Sequence, residues 1–91
     1  MLKELSDVFL ESAPERIAQI NQNLNDSQKV SFRAHALKNM SLNLGANRMA
    51  EVCQKLIETA LTGNDESIAR LAAELEKTFQ LTQGELVSLH R

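Results

Sequence analysis

The chain has 91 residues, of which 43% are apolar and 24% charged, and its formal net charge is −2; this is the make-up of one soluble globular domain, expected to span residues 1–91 around one core. Ten basic residues lie scattered among twelve acidic ones, so no basic stripe marks a nucleic-acid binder, and no apolar run approaches the roughly 18 residues that cross a bilayer. Three Gly, one Pro and 3% aromatic residues suit a few long helices better than many short strands.

The first residues, Met1-Leu2-Lys3-Glu4-Leu5, contain charges and no uninterrupted apolar stretch, so they do not read as a signal peptide. A first helix is expected from about Leu2 to Glu11, with Leu2, Leu5, Val8 and Phe9 as its apolar residues. Ser12-Ala13-Pro14-Glu15 then reads as a restart. Ser12 can cap, Glu15 stands three residues on as a capping-box partner, and Pro14 is tolerated in a first turn. The second helix carries Ile17, Ile20 and Leu24 and ends in Asn25-Asp26-Ser27-Gln28, where Asp26 or Ser27 can cap the third.

The third helix is expected from about Ser27 to Leu44, closed by Gly45, which accepts a left-handed backbone at little cost. The fourth places Met49, Val52, Cys53, Leu56 and Ala60 on one stripe and ends at Gly63-Asn64. The fifth opens on Asp65 and Glu66, which favour the positive end of the helix dipole. Its seam is Ile68, Leu71, Leu75, Phe79, Thr82, Leu86 and Leu89, at helical spacings throughout. Short links between the last four helices favour antiparallel neighbours. The expected fold is therefore all-α: an antiparallel up-down-up-down four-helix bundle, with the short extra N-terminal helix lying across one end.

Each residue of a helix turns about 100° from the last, so with His35 at 0° Val30, Leu37 and Leu44 fall near about 220°, 200° and 180°. Ala34 and Ser41 flank them at about 260° and 240°, which centres the core face near about 200° and turns His35 almost directly away from it. Ser31, Phe32, Lys38, Asn39 and Leu42 are its neighbours at helical spacing. Phe32 and Leu42 are apolar residues beside an exposed histidine, which resembles a docking patch; cover from the first helix or a chain end is the plainer alternative.

Neutral imidazole is a competent nucleophile near pH 7. Attack on an acyl phosphate would yield phosphohistidine, and Lys38 would offset the added negative charge. No Gly-rich phosphate loop is present, and the chain is too short for a kinase fold with its own nucleotide site. Another protein must therefore load and unload any phosphoryl group.

The run His35-Ala36-Leu37-Lys38-Asn39-Met40-Ser41-Leu42-Asn43-Leu44-Gly45-Ala46 resembles the signature of histidine-containing phosphotransfer (HPt) domains of bacterial two-component phosphorelays. That signature reads approximately His-x-Leu-Lys-Gly-Ser-[Ser/Ala]-x-x-Leu-Gly-Ala. It continues with a Leu-like residue, a Cys and a Leu, met here by Met49, Cys53 and Leu56. The stretch Phe9-Leu10-Glu11-Ser12-Ala13-Pro14-Glu15-Arg16 also looks like the start of such domains. The resemblance implies a four-helix bundle, His35 as phosphoacceptor, Lys38 as charge partner and Gly45 as the glycine that closes the helix. It implies transfer to and from the aspartate of response-regulator receiver domains, with a hybrid sensor histidine kinase as a further kind of partner.

Three positions depart from the pattern. Asn39 stands where Gly is usual, Met40 replaces a small residue, and Ile57 stands where Glu or Gln is common, with Glu58 one place late. They bear on docking geometry and partner choice.

The expected product is a phosphocarrier without catalysis of its own, monomeric, cytoplasmic, and needing no cofactor or metal. Ser31, Phe32, Asn39 and Leu42 are its expected receiver-docking residues. A single Cys cannot form an internal disulfide and fits a reducing compartment. Cys53 falls on the core stripe and reads as a small buried hydrophobe. The paired Glu-x-x-His motifs of helical di-iron bundles are missing. His90, next to the chain end, reads as frayed, which leaves no partner for a nucleophilic triad. The competing reading is a non-catalytic helical adaptor that binds a partner through Phe32 and Leu42, with His35 incidental.

Overall fold

The structure is a computed structural model that describes the backbone of residues 2–89 and the side chains of residues 7–88. The expectations for the side chains of Leu2, Leu5 and Leu89, and for His90, lie outside the described residues. Four helices follow one another: α1 (Leu2–Gln22), α2 (Ser27–Leu44), α3 (Asn47–Thr62) and α4 (Asp65–Leu89). No strand occurs among the described residues.

The helix ends have local causes. Asp26 caps α2, its carboxylate accepting from the Lys29 backbone N–H at 3.2 Å. Gly45 ends α2 at φ 83°, its N–H donating to the Leu42 carbonyl, and Ala46 N–H donates back to the Ser41 carbonyl at 2.8 Å. This pair of bonds satisfies carbonyls that the last turn leaves free. Nothing lies within 4 Å of where a Gly45 Cβ would sit, so the glycine serves the backbone and not a close contact. Gly63 likewise ends α3 in the left-handed region at φ 71°, with a single bond from its N–H to the Ala60 carbonyl. Asn64 then caps α4, its Oδ1 accepting from Ser67 N–H at 3.1 Å.

The separate N-terminal helix is corrected by the structure. α1 runs unbroken through Ser12 and keeps Pro14 inside it. The cause is the apolar register, for Phe9, Ala13, Ile17 and Ile20 are all buried at spacings of four, four and three. A break at Ser12 would rotate Phe9 out of that stripe. Pro14 itself is exposed, so its ring faces water while the core side stays continuous.

Packing runs α1 to α2, α2 to α3, α3 to α4 and α4 back to α1, a ring of four helices around one core, with overall dimensions of 41 × 19 × 19 Å. The ring closes on Phe9 of α1 against Phe79 of α4, centroids 5.7 Å apart. The stripe expected for the fourth predicted helix is buried in full, and Ile57 joins it. Ile68, Leu75, Phe79, Thr82 and Leu86 of α4 are buried as expected, while Leu71 is half-buried and Ala72 takes a place in the core.

Candidate functional site

α2 positions the site because it is buried along one line. Val30, Ala34, Leu37 and Ser41 have no exposed surface. Their mean direction lies near about 230° with His35 at 0°, so Ala34 and Ser41 are core residues and not flanks, and Leu44 is only half-buried. Small residues there let α2 sit close to its neighbours. Ser41 resolves its buried hydroxyl by donating to the Leu37 carbonyl at 2.8 Å. His35 is left on the exposed face, midway along the helix. Among the described residues no hydrogen bond ends on its ring.

The expected neighbours separate into two groups. Ser31 and Phe32 line a shallow groove with His35, completed by Ala60 and Leu61 at the end of α3. Asn39 and Leu42 lie one and two turns further along α2, exposed and outside that groove. Phe32 is 67% exposed, Leu42 51% and Leu61 81%, large apolar surfaces that water solvates poorly. Arg33 places its guanidinium 5.5 Å from the Phe32 ring centroid, a distance at which the cation favours the ring face. Leu61 escaped the sequence reading. Its signal was a leucine just off the α3 stripe, next to Ala60, but only the packing of α3 on α2 brings it to the histidine.

Lys38 is half-buried and reaches across to α3, where its Nζ donates to Gln54 Oε1 at 2.6 Å. Gln54 Nε2 in turn donates to Glu58 Oε2 at 3.0 Å. Gln54 also escaped the sequence reading, since a polar residue between two core positions has many possible partners. Ile57, at the position where a polar residue is common, is buried in the core. Met40 packs partly buried against the core. Cys53 is fully buried, and burial pushes its thiol from 9.0 up to about 12, only partly countered by the positive charge of Lys38. A thiol held in that range stays protonated and is a poor nucleophile near neutral pH.

No helix among the described residues is long and apolar enough to cross a membrane. No curated protein and no solved structure matches the chain. The Hpt domain family model matches residues 4–83, from the first turn of α1 into α4. The match includes the whole α2–α3 face described above. It covers nearly all of the sequence, so the chain belongs to the Hpt domain family, the phosphocarrier modules of two-component signalling.

Proposed function

We propose that this protein is a phosphorelay intermediate in which His35 accepts a phosphoryl group from a receiver-domain aspartate and passes it to another receiver domain. The observation that carries this reading is the exposure of His35, on the helix face opposite the core, within a chain of the Hpt family. A ring nitrogen of neutral imidazole attacks the phosphorus of the aspartyl phosphate. The N–P bond forms as the acyl O–P bond breaks, and the aspartate leaves as a free carboxylate. The second ring nitrogen keeps its proton. Return transfer reverses each of these changes, so the module needs no cofactor, only a partner that arrives in line with the histidine.

Lys38 supplies the charge that offsets the phosphoryl oxygens. Ser31, Phe32 and Leu61 form one side of the docking surface, and Asn39 and Leu42 extend it along α2. Both groups leave His35 open to an approaching receiver. Asn39, where the family signature usually has glycine, adds a side chain beside the point of approach. This reading takes the protein as one Hpt unit acting as a monomer in the cytoplasm. It includes an up-down-up-down course, for the two residues at 45–46 and at 63–64 leave little room for anything but reversal. A hybrid sensor kinase fits as the source of the donor receiver.

The exposed Phe32 and Leu42 also suit the second reading, a helical adaptor with an idle histidine. One experiment separates the two. The protein is incubated with a phosphorylated receiver domain, and the expected result is acid-labile, base-stable label on the wild type and none on His35→Gln. Equal labelling of both proteins sinks the phosphoacceptor assignment. Binding of the receiver with label on neither protein favours the adaptor.

A further inference from the structure

We propose that Gln54 is a positioning residue for phosphotransfer: it holds the Lys38 ammonium in place, and Glu58 locks its amide so that a carbonyl oxygen faces that ammonium. This rests on the phosphotransfer reading of His35 and names what keeps its charge partner in position.

The bonds are Lys38 Nζ to Gln54 Oε1 at 2.6 Å and Gln54 Nε2 to Glu58 Oε2 at 3.0 Å. The chemistry at the two ends dictates their sense. A lysine ammonium only donates and an ionised carboxylate only accepts. A glutamine between them must turn its NH₂ to Glu58 and its oxygen to Lys38. The reverse orientation would set NH₂ against ammonium and oxygen against carboxylate, losing both bonds.

Lysine has a flexible four-carbon stem, and its compact charge is freely rotating unless something holds it. Here the hold comes from the neighbouring helix, across a separation of 16 residues. It uses one of the three ammonium donors and leaves two for an incoming phosphoryl oxygen. The spacing matters as well. Gln54 is neutral, so it restrains Lys38 without cancelling its charge, and it keeps the negative Glu58 one side chain further from the anion. A carboxylate at position 54 would pair with Lys38 directly and repel the phosphoryl group. Ile57 is buried in the core and cannot provide this contact.

The test measures the rate of phosphoryl transfer from a phosphorylated receiver to wild type, Gln54→Met, Glu58→Ala, Lys38→Ala and the Gln54→Met/Lys38→Ala double variant. Gln54→Met should slow transfer roughly two- to tenfold, the range that one ordinary net hydrogen bond supports at a half-buried site. Glu58→Ala, at an exposed position that leaves the core intact, should slow it by less. In the Lys38→Ala background, Gln54→Met should have no further effect, because Gln54 acts through Lys38. The Lys38 ammonium signal in ¹H–¹⁵N spectra of the unphosphorylated protein should be protected from exchange in wild type and lost in Gln54→Met.

Equal slowing by Gln54→Met in both backgrounds would assign it a general packing role and overturn the proposal, as would an unprotected Lys38 ammonium in wild type. A wild type that takes no label at all sinks the phosphotransfer reading, and the role of Gln54 in transfer with it. A labelled wild type whose rate Gln54→Met leaves unchanged sinks the Gln54 assignment alone.

Discussion

Burial acts on single side chains through the water they lose, and Cys53 shows the effect most directly. Its thiol has no exposed surface, and burial moves it from 9.0 up to about 12. Above pH 9 the unfolded chain therefore releases this proton while the folded chain keeps it. The folded state binds more protons, so this group's contribution to stability is undiminished below pH 9 and is lost as the pH rises toward 12. Urea denaturation between pH 8 and 10 should show stability declining, and Cys53→Ala should flatten that decline; an unchanged slope would mean another group drives it. The same residue was legible as core from its place on the α3 stripe, because helical periodicity alone decides it. His35 was legible for the same reason. Gln54 was not, since its partner lies on another helix and its contact depends on how α2 and α3 are set against each other.

Helix boundaries divide by whether their cause is local. Asp26, Gly45, Gly63 and Asn64 act within a few residues of themselves, and each closes or opens a helix where the sequence suggests it. Ser12 and Pro14 give an equally good local signal, yet α1 passes through them. Burial of Phe9, Ala13, Ile17 and Ile20 on one line outweighs it, for each large apolar side chain is worth about 1.5–3 kcal/mol when buried. The proline still costs the helix one hydrogen bond, the one that residue 14 would donate to the Leu10 carbonyl. Pro14→Ala should accordingly stabilise the fold by about 1–3 kcal/mol, set by the proline penalty in a helix interior. Chemical denaturation checks it. A neutral or destabilising effect would restore the two-helix reading, in which proline sits harmlessly in a first turn.

At the scale of the whole molecule, the buried stripe and the proposed docking surface occupy opposite faces of α2. The all-helical bundle was legible because every helix carries a stripe at the right period. The groove beside His35 was not, because it combines Phe32 of α2 with Leu61 of α3, and periodicity within one helix says nothing of its neighbour. This division predicts that the two faces respond to truncation independently. Leu56 is fully buried and its contacts are internal, so Leu56→Ala should cost about 2–5 kcal/mol of stability while the fraction still folded binds a receiver domain with unchanged affinity. Phe32→Ala and Leu61→Ala remove side chains that are 67% and 81% exposed, and should change stability by no more than about 0.5 kcal/mol. If both anchor the partner, each should weaken receiver binding by about 1 kcal/mol or more, a roughly fivefold rise in Kd. Thermal melts paired with titration calorimetry read the two effects separately. Wild-type affinity in both surface variants would move the docking site away from the groove and onto the Asn39–Leu42 end of α2.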